Sequence, residues 1–341
     1  MRPTVHDIAA AAGVSLATVD RVLNQRAGVR SVTRQRVEAV INDIGYVRDM
    51  AAANLAKGRL YPLVFILPAS DNSFMHSLHA EARQAISRAG SERCSIRIIE
   101  VKAFDPAALV AALDSLAGAD IAGVALVAVD APEVRDAVER LVQAKIPVVT
   151  LVSDLTGSAR HHYAGIDNIA AGRTAARLLG RFLGGRKGEV LVLAGSLLVR
   201  DHRERLEGFS AMMEQEFSAL TLLPVLEGLD DPETVNGLVT KALADNPDVI
   251  GIYSIGAGNR GLIRALRARA AGKALTVVAH ELTDYTREAL QDGLIDVVLN
   301  QDAGHEVRSA VRVLKAKADG LAVIAAQERI RLDIFLKDNL P

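Results

Sequence analysis

Thr4-Val5-His6-Asp7-Ile8-Ala9-Ala10-Ala11-Ala12-Gly13-Val14-Ser15-Leu16-Ala17-Thr18-Val19-Asp20-Arg21-Val22-Leu23-Asn24 holds two helical patterns joined at a glycine. Val5, Ile8, Ala9 and Ala12 recur at i, i+3, i+4 and i+7, one face of a helix. Thr4 followed three residues on by Asp7 has the form of a capping box, with Asp where Glu or Gln is usual. Gly13 can take the backbone of a tight turn, and Ser15 can cap a second helix whose stripe is Val19, Val22 and Leu23. The opposite face of that helix carries Leu16, Ala17, Asp20, Arg21 and Asn24. A third helix is expected from a Thr33 cap, burying Val37, Val40, Ile41 and Ile44 and stopping at Gly45. This is the layout of a helix-turn-helix, the unit that sets one helix into the major groove of double-stranded DNA.

Charge supports that reading once it is divided along the chain. The 341 residues carry a net charge of only −1. Residues 1–60 hold nine Lys/Arg against five Asp/Glu, and the remainder holds 31 against 36, so a head of +4 sits on a body of −5. A basic head on an acidic body turns the head towards phosphates. The length leaves room for a sizeable core beyond the head. The single cysteine, Cys94, excludes an intramolecular disulfide framework and reads as a small buried residue. No apolar signal core or bilayer-length apolar run is present in the sequence, so no membrane partner is expected and the location expected is cytoplasmic.

From Leu63 the pattern changes to short apolar runs alternating with helical segments. Strands are expected at 63–67, 96–101, 124–129 and 148–152, then again at 190–194, 222–226, 249–255 and 275–279, with helices between them. Two such series predict two doubly wound parallel-sheet lobes, an α/β body behind an all-α head. The expected division is 1–47 for the head, 48–60 for a linker and 61–341 for the body. Within the body, one lobe takes about 61–163 and 301–320, the other about 164–300 and 321–341. Open parallel sheets bind ligands beyond their strands' carboxyl ends. There the sequence offers Asn72 and Phe74, Ser153-Asp154, Asn168, the string Arg200-Asp201-His202-Arg203-Glu204-Arg205, Ser254, Asn259, Glu281 and Gln301. Paired donors and acceptors with one aromatic ring suit a polyhydroxylated ligand: a small sugar, polyol or cyclitol.

The string from Val5-His6-Asp7-Ile8-Ala9 through Gly13-Val14-Ser15, Thr18-Val19-Asp20-Arg21-Val22-Leu23-Asn24 and Thr33-Arg34 to Gly45-Tyr46 resembles the head of the lactose-repressor (LacI) family of bacterial transcription regulators. The body is similar to the type I periplasmic sugar-binding fold which that family uses. The resemblance implies DNA contacts from Thr4, Ser15, Leu16, Ala17, Thr18, Asp20, Arg21, Asn24 and Thr33. Arg21 could pair with guanine, whereas Leu16 and Ala17 offer apolar contact. Asp20 stands where the family usually has Ser, and needs Arg21 or Arg34 to neutralise it, or a cytosine to accept from. The Ala-rich segment 48–58 is too short to be a stable helix alone; the resemblance makes it a hinge helix that folds on DNA, with Ala52, Asn54 and Leu55 at the minor groove and Leu55 as a wedge. It also implies a homodimer on a pseudo-palindromic operator. No leucine-heptad tail follows the strand-like 329–336, so a dimer rather than a tetramer is expected.

In the body the resemblance makes Arg203 the ligand-gripping arginine, with Asn72, Phe74, Asp154, Asn168, Ser254, Glu281 and Gln301 around it. A second reading comes from Gly256-Ala257-Gly258-Asn259-Arg260-Gly261, a G-x-G-x-x-G between strand and helix, with Glu281 twenty residues past the last glycine. That is the dinucleotide fingerprint and would make the chain an NAD(H)-sensing DNA-binding redox regulator. Against it, the motif lies late in the chain, with few strands left to complete a nucleotide domain. No G-x-S-x-G, H-E-x-x-H or Cys-x-x-Cys occurs. His76 and His79, and the adjacent His161 and His162, lack a third ligand nearby and read as surface or cleft histidines. No enzyme activity, metal or cofactor is expected.

Overall fold

The computed structural model of the chain describes residues 3–46, 59–70, 72–256, 258–269 and 274–341. Two compact units result, residues 1–59 and 60–341.

The head contains α1 (Val5–Ala12), α2 (Leu16–Leu23) and α3 (Ser31–Asp43). Helices of eight residues are unstable alone in water, so their stability comes from a shared core. Ile8, Ala12, Val19, Val22 and Val37 are buried there, flanked by Val5, Leu23, Val40, Ile41 and Ile44. Each large aliphatic side chain so buried contributes about 1.5–3 kcal/mol. The capping box is formed: Thr4 N donates to Asp7 Oδ2 at 2.8 Å and Asp7 N to Thr4 Oγ1 at 3.4 Å. Donation from the Thr4 backbone N–H, and then from its hydroxyl, to Asp7 Oδ2 holds that carboxyl below its usual range. Gly13 closes α1 at φ +61°, and Ser15 Oγ accepts from Thr18 N at 3.3 Å to open α2.

The third helix departs from expectation. It starts at Ser31 after an extended Arg30 that makes no side-chain cap, which leaves Thr33 half-buried inside the first turn. The preceding loop is fixed instead by Arg34 Nη2 donating to the Arg26 carbonyl at 3.2 Å. Ala52, Asn54 and Leu55 lie outside the described residues.

In the body, β1 (Tyr61–Ala69), α4 (Ser73–Glu92), β2 (Cys94–Lys102), α5 (Pro106–Asp114), β3 (Gly123–Leu126), α6 (Pro132–Gln143), β4 (Val148–Leu151) and β5 (His162–Ala164) build the first lobe. Its parallel sheet runs β2-β1-β3-β4-β5. Along β1 the side chains alternate between two cores: Leu63, Phe65 and Leu67 meet α4, while Val64 and Ile66 meet α5 and α6. Cys94 is buried at the start of β2.

The second lobe contains α7 (Asn168–Leu183), β6 (Gly188–Ala194), α8 (Arg200–Glu216), β7 (Leu220–Leu222), β8 (Leu226–Glu227), α9 (Pro232–Asp245), β9 (Val249–Ser254), α10 (Asn259–Ala268), β10 (Thr276–His280), α11 (Asp284–Gln291) and β11 (Val297–Gln301). Its sheet runs β11-β10-β9-β6-β7 in parallel, with β8 also on β6, and β12 (Leu332–Phe335) adds antiparallel to β11. The single strand expected at 222–226 is two short pieces, because Pro224 between them has no N–H for a ladder. The strand expected at 124–129 ends at Leu126, and Val127, Ala128 and Val129 line the cleft between the lobes. Helix α12 (Ala303–Ala318) returns to the first lobe and packs on α4 and β4. The chain thus crosses between the lobes three times, at 165–167, at 302 and within 319–331. Among the described residues no helix is long and apolar enough to cross a membrane.

Candidate ligand cleft and DNA-facing helix

Helix α8 positions the centre of the cleft. Its buried residues, Asp201, His202, Arg205, Gly208, Phe209, Met212 and Met213, follow one helical stripe. The stripe is apolar at its far end and polar at its first turn, so the polar turn is driven inward with the rest. Close approach to α7 fixes it further. A Cβ on Gly172 would collide with the Arg205 carbonyl, and one on Gly208 with the Ile169 carbonyl. Only glycines allow these two helices to cross with their backbones touching.

That crossing buries Arg205 to 1% exposure and surrounds it with acceptors. Its Nε donates to Asn168 Oδ1 at 2.8 Å, and its Nη1 donates to the Ile255 carbonyl at 2.7 Å and to Glu281 Oε1 at 3.3 Å. Gln301 Nε2 donates to the same Glu281 oxygen at 2.9 Å. Burial works against the Arg205 cation, but Glu281 and Asp201 beside it more than offset that and raise its pKa. Burial also pushes the Glu281 carboxyl up to about 7, against the pull of Arg205 and Gln301. Behind Arg205, Tyr253 stacks on Phe209 at 4.3 Å between ring centroids, and its hydroxyl bonds His280 Nε2 at 2.9 Å. Burial, then Arg205, holds His280 well below its ordinary range, so that imidazole is neutral. Glu306, on the first turn of α12, is wholly buried and pushed well up by burial and by Glu281.

The cleft holds about 690 Å³ of space between its walls, the open solvent at its mouth included. Its first-lobe wall is mostly apolar, with Phe74, Met75, Phe104, Val127, Val129 and Val152. Its second-lobe wall is polar, with Asp201, His202, Arg205, Asp230 and Glu281, and Gln301 sits at a crossing. Five buried polar atoms on this lining lack a hydrogen-bond partner: Asp201 Oδ1, Arg205 Nη2, Asp230 Oδ1, Glu281 Oε2 and Gln301 Oε1. Such atoms cost about 1–3 kcal/mol each unless something else satisfies them. Strain gathers here too. Phe104, Val152, Asp230 and Glu281 all adopt left-handed φ, between +57° and +72°. For a β-branched or bulky residue that is a genuine outlier, and outliers of this kind cluster at ligand sites.

Of the residues expected from sequence, Asn72, Phe74, Glu281 and Gln301 line the cleft. Asn72 Oδ1 also caps α4, accepting from Phe74 N at 2.8 Å. Arg203 does not line it. It lies off the buried stripe of α8, and its guanidinium pairs with Asp130 of the first lobe and donates to the Leu197 carbonyl at 3.0 Å. Arg205, two residues on, is the arginine of α8 that lines the cleft. Asp154 is turned away, its carboxylate clamped by Arg160 and bonded by Thr150 Oγ1 at 2.8 Å, while Ser153 before it faces the cleft. Asn168 supports Arg205 from behind, also donating to Tyr163 Oη at 3.0 Å. Ser254 is buried and spends its hydroxyl on Asn259 Oδ1 at 2.7 Å. Asp201, His202 and Arg205 were legible as the stripe Gly208-Phe209-Met212-Met213 continued back one turn. Asp230 had a strand end before it but no partner signal.

The glycine-rich loop has packing reasons. Gly256, at φ +134°, brings its backbone so near Arg205 that a Cβ would lie 2.9 Å from Nη1. Cβ atoms at Gly258 and Gly261 would run into Val235 and the Pro232 carbonyl, where α9 meets α10. Glu281 Oε1 is engaged by Arg205 and Gln301, and its Oε2 is on the cleft lining without a partner. His79, expected at the surface or in the cleft, is buried, with Nε2 3.1 Å from the Pro68 carbonyl, whereas His76 is exposed. Among the described residues no cluster of three or more His, Cys, Asp or Glu could hold a metal ion.

On the head, α2 presents Leu16, Ala17, Asp20 and Arg21 to solvent. Neither Arg21 nor Arg34 neutralises Asp20. Arg26 does so at 3.3 Å, and Asn24 Nδ2 donates to the same carboxylate at 2.7 Å. Thr18 Oγ1 lies 3.0 Å from Ser15 Oγ, so both hydroxyls take part in opening the helix.

Comparison with known proteins agrees with this two-part construction. Residues 4–49 match the model for bacterial regulatory proteins of the lacI family, and residues 63–322 the periplasmic binding protein domain. The HTH-type transcriptional regulator DegA of Bacillus subtilis is 25% identical over 216 residues, 63% of this chain and 62% of that protein. The regulator IdnR of Escherichia coli is 26% identical over 253 residues, 74% of this chain and 73% of its own length. Among solved structures, a solute-binding protein of an ABC transporter from Burkholderia graminis, in complex with D-arabinose, superposes at a TM-score of 0.75 with 24% identity, covering 82% of this chain and 96% of that one. The chain thus carries a lacI-family head over residues 4–49 on a body that belongs to the periplasmic binding protein domain family over residues 63–322.

Proposed function

We propose that the protein is a sequence-specific transcriptional regulator that binds double-stranded DNA as a homodimer on a pseudo-palindromic operator. A small sugar-like or polyol ligand in the interlobe cleft sets its operator affinity. The observation that carries the effector half is the convergence of five unpartnered buried polar atoms on one strained cleft. Hydroxyl groups, which donate and accept, satisfy such a set, and Phe74 and Phe104 offer rings to the apolar side of a sugar ring. D-arabinose is the ligand of a fold neighbour; the lining itself supports a sugar here. The DNA half rests on the exposed face of α2, where Arg21 suits guanine and Leu16 a thymine methyl. The protein acts as a regulator rather than an enzyme, in the cytoplasm, and uses no cofactor. Ligand closes the two lobes on each other, and that change of body shape reaches the paired heads.

A thermal-shift screen of the full chain against a sugar and polyol library tests the effector. A binder should raise Tm by several degrees and change affinity for a duplex selected by the head from random sequence. Arg21→Ala should lower discrimination among duplexes and leave the binder's Tm shift intact. If no member shifts Tm, or binders leave DNA affinity unchanged, the effector reading fails.

A further inference from the structure

The cleft's unpartnered atoms are unequal in kind. Four accept (Asp201 Oδ1, Asp230 Oδ1, Glu281 Oε2 and Gln301 Oε1) and one, Arg205 Nη2, donates. Charge is unequal too. Three carboxyl side chains, none more than 9% exposed, face a single buried guanidinium, most of whose other donors are committed to Asn168, the Ile255 carbonyl and Glu281, and the His202 imidazole, whose Nε2 lies 3.8 Å from Asp201. Burial raises the Asp230 and Glu281 carboxyls, against the pull of His202 and Asn72 on the first and of Arg205 and Gln301 on the second, and Asp201 adds a like charge beside both. Lys102 also lines the mouth, but its side chain is 81% exposed and lies 3.8 Å from Asp105, which discharges it locally. An anionic ligand would add repulsion to this wall. A neutral hydroxyl can donate to each acceptor but leaves the carboxylates repelling one another.

Building on the sugar or polyol reading above, we infer that the preferred ligand is an amine-bearing sugar or polyol. Its ammonium group is held by Asp201 and Asp230, and its less polar face lies against Phe74 and the first-lobe wall. An ammonium supplies three donors and one positive charge at the place where acceptors and negative charge are in excess. Buried carboxylates paired with a cation are stabilised, whereas unpaired ones take up protons or repel. The remaining hydroxyls meet Arg205 Nη2 and Gln301 Oε1.

The test is calorimetry on the full chain with matched probes: D-glucose, D-galactose, D-mannose and myo-inositol, their amino counterparts, and the N-acetyl forms of the amino hexoses. At least one amino compound should bind ten-fold or more tightly than its hydroxyl parent, and N-acetylation, which removes the charge, should abolish the gain. Asp230→Asn should bring the amino-to-hydroxyl ratio close to one. Asn tolerates the left-handed backbone at this position, where φ is +60°, so the loop is preserved; Asp201→Asn is the second variant should that protein fail to fold. Neutral parents that bind as well as or better than their amino forms would overturn the inference and leave a sugar-responsive regulator standing. So would an amino preference untouched by both substitutions. Failure of every probe to bind would overturn both the inference and the effector reading.

Discussion

Arg205 and Arg203 stand two residues apart on α8 and do different work. Arg205 is fully buried and faces the ligand space, whereas Arg203 is partly exposed and pairs across the lobes. Arg205→Ala should therefore weaken cleft-ligand binding by about 2–4 kcal/mol, at least ten-fold, because it strands polar atoms in a desolvated site. Arg203→Ala should cost less than about five-fold, the scale of a partly exposed ion pair. Calorimetry on both variants checks the order; equal losses would return Arg203 to the site. The assignment was within reach of the sequence, since continuing the stripe of Phe209, Met212 and Met213 backwards lands on Arg205. Asp154 was not. Whether an acid after a strand faces a cleft or an arginine six residues on depends on how the β4–β5 loop closes, and neither residue type records that. A pH dependence follows from Glu281. Its folded pKa of about 7 lies above the usual 4.5, so the folded state holds a proton that the unfolded chain has released between those values. This term therefore removes stability as pH rises from about 4.5 through 7, on the order of 3 kcal/mol in all. Glu281→Gln removes it, although Arg205, Asp201, Gln301 and Glu306 still face the position. The stability of Glu281→Gln relative to the parent should grow between pH 5 and pH 8 in urea titrations; a constant difference would mean that Glu281 titrates normally.

Elements were more legible than side chains. Period-two alternation in β1 and the helical stripes of α2 and α8 reflect burial on one or both faces, which hydrophobic pattern records directly. Boundaries were poorer where the deciding feature is backbone. α3 starts at Ser31 behind Arg30, which provides no capping side chain, so the cap-like Thr33 three residues after Arg30 misplaced the boundary. The first turn of α8 also holds a contact that no local pattern reveals. Asp130, at the end of the first-lobe segment after β3, pairs with Arg203 and lies 3.7 Å from Arg200, with Arg135 of its own lobe beside it. Arg200 N also donates to Ser153 Oγ across the cleft at 3.2 Å. These contacts tie the two lobes together across the cleft. Asp130→Ala should make the lobes part more readily, weakening ligand by roughly 1 kcal/mol, about five-fold, with no loss of ligand contacts. Small-angle scattering of the ligand-free variant should give a larger radius of gyration than the parent. An unchanged radius and affinity would show that these contacts contribute nothing to closure.

The whole molecule joins a basic head, with three helices among its described residues, to an acidic two-lobed body, and the charge division of the sequence already marked that seam. Three segments join the lobes, so a ligand placed as proposed, against Phe74 on one lobe and Arg205 on the other, would favour closure by its differential contacts. A two-fold operator requires a two-fold protein. Sedimentation of the full chain with a selected duplex should give two chains per duplex, and one chain per duplex would reject the pseudo-palindromic site. The linkage between cleft and head is read most directly by titrating that duplex against the parent and Arg205→Ala, with and without the tightest-binding probe of the sugar and amino-sugar panel at saturation for the parent. The parent's operator affinity should change at least five-fold with the probe, in either direction, while Arg205→Ala should bind the duplex like the ligand-free parent whether or not the probe is present. A parent that ignores a bound probe, or an Arg205→Ala protein that responds as the parent does, would contradict control of DNA binding from this cleft.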